Sequence, residues 1–225
     1  MAPLLFHGKF MARDEAMSEP ATFRTAFKDA SRCFVDTVAR IPAGRWQAAG
    51  LGEWTVRETV GHTCRAYTTL LDGLGAGATA ATITSPSHYY RVAQTGPDAD
   101  QAGADRGRQA AAHMDDEPLG YVRELAARAE TLVDATPDTA IATVRFGTMR
   151  FADFLVTRAS GLLAHALDIA RAAGVDLDPP ASATRATFDI LRELAIDDGV
   201  FPSIVFALTG RGSLHPRFNL LGQRA

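Results

Sequence analysis

Residues 51–73 read LGEWTVRETVGHTCRAYTTLLDG, and this stretch decides the fold class. Thr55 and Glu58 have the spacing of a capping box, in which a hydroxyl and a carboxylate satisfy backbone donors at the start of a helix. Apolar residues then recur every three or four positions, which predicts an amphipathic helix that ends near Gly73. The recurring positions include Val56, Val60, Tyr67, Leu70.

The same periodicity predicts three more long helices. One runs from Phe23 to Ile41 before a proline, and another begins near Pro118. The last covers Phe151–Ala173 and is closed by Gly174, because a glycine at this position readily adopts the left-handed conformation of a helix end. Four long amphipathic helices are typical of a bundle.

The remaining segments extend this bundle. A polar connection joins the second and third long helices, and shorter helical and extended patterns follow. We expect an all-α four-helix bundle with a long crossover connection and a short C-terminal helical extension, in one domain (21–225) after a flexible segment (1–20). The shorter elements are the connection 79–117 with a weak helix at 101–113, an extended stretch at 141–146, and helices at 184–196 and 201–208.

Composition excludes several classes of partner. The chain has 225 residues, 47% of them hydrophobic, with a formal net charge of -3 and a pI near 6.1. This balance provides no positive field for nucleic acid or an anionic membrane surface. Since no stretch approaches the roughly 18 apolar residues of a membrane span, we expect a cytoplasmic protein. Cys33 and Cys64 lack a CxxC spacing and are expected to be free thiols.

Two histidines are the candidate reactive residues. His62 lies on a flank of the second helix, and His165 lies within the fourth. Each alone is more often a structural residue, but inward-facing histidines on different helices of a bundle can bind a metal ion. We therefore predict that His62 and His165 are catalytic residues or metal ligands.

Longer motifs around these histidines resemble a known family. Residues 51–62 look like the W-S/T-V-R-D-V-V-x-H segment of the DinB-like superfamily, and residues 158–174 are similar to its R-x-x-E-x-x-x-H-x-W-D-L-A-R-A-x-G helix. Over roughly Phe23–Leu214, the chain resembles the mycothiol-dependent maleylpyruvate isomerase branch. The resemblance implies a DinB-like fold, a divalent metal such as zinc held by His62 and His165, and mycothiol as thiol cofactor.

One position departs from the family pattern. The family has a glutamate ligand four residues before its second histidine, and Gly161 stands there in this chain. Glu58 and Asp168 are the nearest carboxylates that could replace it, although the first is explained by the capping box and the second could orient His165. Arg158 could face an anionic group, so Arg158 and Asp168 are candidate cofactor-binding residues.

Three functions stay open. The first is a thiol-dependent isomerase or S-transferase that uses a divalent metal, in which the metal lowers the pKa of a coordinated thiol. The second is a metal-free protein of the same fold that binds a small ligand or thiol. The third is a metal-independent enzyme with His62 or His165 as general acid or base. A homodimer could form through an exposed helix stripe.

Overall fold

The computed structural model describes residues 23–74, 79–93, 99–114 and 117–221, without the side chains of 99–104 and 106. The segment 1–20, predicted to be flexible, lies outside the described residues. Helices dominate, as predicted, and one hairpin of two short strands is added to them. In chain order the elements are α1 (Phe23–Ala39), α2 (Val56–Gly73), α3 (Pro86–Ala93), α4 (Ala99–Ala112), α5 (Pro118–Ala135), β1 (Ile141–Val144), β2 (Gly147–Arg150), α6 (Phe151–Ala173), α7 (Ala181–Asp197) and α8 (Phe201–Leu208).

Helices α1, α6, α2 and α5 form the predicted four-helix bundle, each packing against the next and α5 against α1. The core is built from their apolar stripes, with Phe27, Phe34 and Tyr67 fully buried. The Tyr67 hydroxyl lies 3.0 Å from Ser31 Oγ on α1, which itself donates to Glu130 Oε1 on α5 at 3.0 Å. This chain of hydrogen bonds satisfies the polar atoms that the core encloses.

The capping box at the start of α2 is confirmed. The Glu58 amide donates to Thr55 Oγ1, and the Thr55 amide donates to Glu58 Oε2 at 2.7 Å. One turn further, a Cβ at Gly61 would lie 2.5 Å from the backbone nitrogen of Ala111. Only glycine therefore allows α4 to approach α2 this closely, next to His62.

A β-hairpin precedes α6. Strands β1 and β2 pair antiparallel from Ile141↔Arg150 to Val144↔Gly147, so a two-residue turn of Arg145 and Phe146 joins them. Gly147 has a φ of +148°, and a Cβ there would lie 2.4 Å from Thr82 Oγ1. The extended stretch predicted at 141–146 is confirmed, whereas its partner strand was not predicted.

The crossover from α2 to α5 contains α3 and α4. The weak helical pattern at 101–113 corresponds to α4, but α3 was not predicted. The long connection was correctly expected, and it carries more regular structure than its polar composition suggested. Helix α3 packs against α6 and α7, which explains why local sequence alone did not indicate it.

The C-terminal extension is also confirmed. Gly174 ends α6 in the left-handed region with φ 72°. Helix α7 then packs against α1 and α6, and α8 packs against α7. No helix in the part of the chain that the structure describes is long and apolar enough to cross a lipid bilayer.

Candidate active site

A cleft of about 440 Å³ lies between α2, α3, α6 and the β-hairpin. Helix α2 lines it with His62, Arg65 and Thr69, and α6 lines it with Arg158 and His165. These positions are three or four residues apart along α2 and seven apart along α6, so each helix presents one stripe of polar side chains. A cleft of this size is within the usual range for small-molecule sites.

The two predicted histidines meet in this cleft. The ring centroids of His62 and His165 are 5.0 Å apart, and the rings are nearly perpendicular, at 89°. The indole of Trp54 lies against the other side of His62, at 4.4 Å between centroids. His62 is half-buried, as its flank position on α2 predicted. Both histidines therefore line one cleft, and their roles as catalytic residues or metal ligands stay predictions.

Asp168 lies behind His165 and does not line the cleft. Its Oδ2 is 3.5 Å from His165 Nδ1, and its Oδ1 accepts a hydrogen bond from Arg171 at 3.2 Å. His165 Nδ1 is buried and has no hydrogen bond among the described residues. A carboxylate in this place can orient an imidazole.

The residues present do not fit a metal held by three protein ligands. Among the described residues, no group of three His, Cys, Asp or Glu side chains is placed to bind a metal ion. At Gly161, a Cβ would meet no heavy atom of a neighbouring element within 4 Å. Glu58 closes the capping box, and Asp168 lies behind His165. Neither replaces the missing carboxylate, so the predicted zinc site is not supported.

Arg158 makes polar and aromatic contacts within the cleft. Its Nη1 donates to Thr69 Oγ1 at 3.1 Å, and its Nε donates to Thr157 Oγ1 at 3.2 Å. The guanidinium carbon lies 4.7 Å from the ring centroid of Phe154 and 5.1 Å from that of Tyr89. Two aromatic faces and two hydroxyls thus hold the guanidinium in one orientation.

Two further arginines line the same cleft. Arg65 extends from α2, and Arg145 comes from the hairpin turn. Burial lowers the pKa of the Arg65 guanidinium, and the positive charges of Arg158 and Arg145 lower it further. Asp72 is the one carboxylate among the described residues that line the cleft. The cleft is therefore positively charged within a protein whose net charge is -3.

Helix α3 contributes two tyrosines to the cleft. The Tyr90 hydroxyl donates to the Thr157 carbonyl at 3.3 Å, and burial raises the pKa of this phenol. The neighbouring Tyr89 ring packs against Phe146 and Phe154. Tyr90 is consequently a neutral side chain, and both rings line the cleft.

Neither cysteine of the chain lines this cleft. Cys64 is buried in the core, where burial raises the pKa of its thiol to about 12. Burial, together with the carboxylate of Asp36, also raises the pKa of Cys33. Both are free thiols, as expected, and both are protonated at neutral pH. Thiol chemistry in the cleft therefore requires a thiol from outside the chain.

Comparison with known proteins gives the family. The family model described as the mycothiol maleylpyruvate isomerase N-terminal domain matches residues 27–170. The chain belongs to this family. The match confirms the family resemblance and includes both histidines, Gly161 and the three arginines of the cleft. No curated protein and no solved structure matches the chain.

The family match ends inside α6, at residue 170. Helices α7 and α8 lie beyond it, although the sequence resemblance extended to about Leu214. Membership makes this a mycothiol-associated, DinB-like protein. The roles of His62, His165, Arg158 and Asp168 are not fixed by membership, because Gly161 removes one member of the family's ligand set.

Sequence reasoning missed Arg65 and Arg145 as residues of the site. Arg65 follows His62 by three positions, which places both on one side of α2, so helical spacing could have indicated it. No comparable signal pointed to Arg145, because its position depends on a hairpin whose second strand was not predicted. Tyr89 and Tyr90 were seen as part of a polar connection and not as a helix.

Proposed function

We propose that this protein is a thiol-dependent enzyme that isomerises a small carboxylate-bearing alkene, with His165 transferring a proton beside His62 and with no metal held by three protein ligands. The observation that carries this proposal is the common cleft in which three guanidinium groups and two imidazoles lie together. Opposite charge attracts and orients an anionic substrate, and imidazole is the side chain best suited to proton transfer near neutral pH.

The arginines would bind the substrate. Arg158 is held by its hydroxyl and aromatic contacts, so little side-chain entropy is lost when it pairs with a carboxylate. Arg65 and Arg145 add positive charge at the same cleft. Mycothiol, the thiol named for the family, would supply the sulfur, since Cys33 and Cys64 lie elsewhere.

The proposed reaction begins with proton transfer from the thiol to His165, which leaves a thiolate. The thiolate forms a bond to an alkene carbon conjugated with a carbonyl, and the electron pair of the double bond moves to the carbonyl oxygen. Rotation about the resulting single bond follows. Elimination of the thiolate restores the double bond in the other geometry, and His165 returns the proton to sulfur. No atom or electron is gained or lost overall.

Asp168, the arginines and Gly161 each have a defined part in this reaction. Asp168 would orient the imidazole of His165 through the contact with Nδ1. The arginines stabilise the negative charge that develops on the carbonyl oxygen. The open space at Gly161 gives the rotating substrate room beside the histidines.

The test is mycothiol-dependent isomerisation of maleylpyruvate, followed in the presence of a strong chelator. His165→Asn should lower kcat by about 100-fold or more, as expected when a general base is lost. Arg158→Gln should raise KM more than it lowers kcat, because it removes a substrate-binding charge. Arg123→Gln, on the exposed side of α5, is the matched control and should change neither.

Two results would overturn the proposal. Activity that disappears with chelator and returns with zinc would show that a metal is part of the reaction. Unchanged kcat in His165→Asn would remove the proton-transfer role. Asp168→Asn adds a further readout, since a positioning role predicts a lower kcat with an unchanged KM.

Binding without turnover is the second candidate function, and Gly161 favours it. A glycine in the interior of α6 costs about 1 kcal/mol relative to alanine, and the space it leaves opens into the cleft. A protein selected only to hold a ligand would keep this space. Saturable mycothiol binding without isomerisation of any carboxylate-bearing alkene would support this candidate over the first.

A further inference from the structure

Helix α8 has an unusually apolar surface. Its eight residues are FPSIVFAL, and none of them is buried. A helix that is apolar on all sides is normally enclosed by other elements. Among the described elements, α8 packs mainly against α7. Large apolar side chains of both helices are exposed: Phe188, Ile196, Phe201, Phe206, Leu208.

We propose that this α7–α8 surface joins two copies of the chain in a symmetric dimer. The proposal concerns a surface outside the cleft and outside the segment that matches the family, residues 27–170. It rests on the exposed apolar area and on the charges at the two ends of α8.

The apolar area approaches what a stable dimer needs. The five side chains are between 48% and 75% exposed. With about 200 Å² for each large apolar side chain, they offer roughly 550–600 Å² to a partner. A specific interface buries about 800 Å² on each partner, and part of that area is polar. The five side chains would therefore form most of the apolar centre of such an interface.

The flanking charges favour a second copy as the partner. Asp197 lies four residues before α8, and Arg211 lies three residues after it. Both are exposed, and neither has an ion-pair partner within the described ranges. Two copies of α8 that cross in opposite directions bring the Asp197 end of one to the Arg211 end of the other. Symmetry repeats this pairing, so one surface complements itself.

The first measurement is the mass of the full-length protein in solution, by sedimentation velocity over a series of concentrations. The expected result is a species of twice the 24.0 kDa chain mass. Leu208→Glu should raise the dimer Kd at least about 30-fold, because it places a charge in the apolar centre. Leu167→Glu changes an exposed leucine on α6, outside this surface, and should leave the Kd unchanged.

A charge exchange tests the arrangement of the two copies. Asp197→Arg and Arg211→Asp should each weaken the dimer, since each creates pairs of like charge. The double variant restores opposite charges and should recover the wild-type Kd, which a purely local effect on folding would not do. Circular dichroism confirms that each variant is folded.

Three outcomes would overturn the proposal. Wild-type protein that is monomeric at all concentrations would show that this surface does not join two copies of the chain. A dimer unaffected by Leu208→Glu would use another surface. Failure of the double exchange to restore the Kd would contradict the antiparallel pairing.

Discussion

Gly161→Glu is the substitution that most clearly separates a metal-free cleft from a metal site. It places a carboxylate four residues before His165, on the same face of α6. A Cβ at residue 161 meets no neighbouring heavy atom within 4 Å, so the new side chain enters open space in the cleft. We expect it to complete a three-ligand set with His62 and His165. Gly161→Gln has the same size without the charge and is the control.

The expected gain in unfolding free energy has two parts. Without metal, both variants lose an interior glycine and should gain about 0.5–1 kcal/mol of unfolding free energy from helix propensity. With zinc at about 100 times its Kd, only Gly161→Glu should gain a further 2.7 kcal/mol or so through linkage. For a chain of this length, that gain raises Tm by about 5–10 °C.

The assay is thermal unfolding of the wild type and both variants, with zinc and with chelator. We expect a large zinc-dependent increase in Tm for Gly161→Glu and only a small increase for the wild type and Gly161→Gln. An equal increase for the wild type would mean that a metal site is already complete. No increase for Gly161→Glu would mean that residue 161 and the two histidines do not face a common point.

Three other predictions concern stability. Thr55→Ala removes the hydroxyl of the capping box and should lower the unfolding free energy by about 1 kcal/mol, measured by urea denaturation. Arg91→Ala breaks the ion pair with the mostly buried Asp198, which connects α3 to the end of α7. Arg192→Ala breaks only pairs at the surface. Because a partly buried pair contributes more than an exposed one, Arg91→Ala should lower Tm more than Arg192→Ala. Burial raises the pKa of Cys64 from 9.0 to about 12. Between these two pH values, the thiol is deprotonated in the unfolded chain and protonated in the folded chain. Unfolding free energy should therefore fall by about 1.4 kcal/mol per pH unit, and Cys64→Ala should remove this part of the alkaline loss in urea titrations at several pH values.

The parts of the fold that were predictable depend on local signals. The capping box of Thr55 and Glu58 and the helix end at Gly174 follow from backbone hydrogen bonding within a few residues, so the sequence shows them directly. Helix α3 depends on packing against α6 and α7, which a local pattern does not contain. The close approach at Gly61 is likewise visible only when α4 is in place.

The candidate site was predictable to a similar extent. His62 and His165 were identified because helical periodicity and family motifs placed both inside the bundle. Their 5.0 Å separation could not be read from the sequence, since it depends on how α2 and α6 pack. Arg145 reaches the cleft through a two-residue hairpin turn, and its role in the positive charge of the cleft became clear only from the structure.

The central claim is that the arginines of the cleft beside His62 and His165 bind a carboxylate-bearing substrate without a metal held by three protein ligands. Isothermal titration of maleylpyruvate, without mycothiol, into protein kept in excess chelator tests this claim most directly. We expect saturable binding with one site per chain. The Kd should rise at least about tenfold in Arg158→Gln and stay unchanged in Arg123→Gln. Binding that appears only when zinc is added, or that is the same in Arg158→Gln as in the wild type, would contradict it.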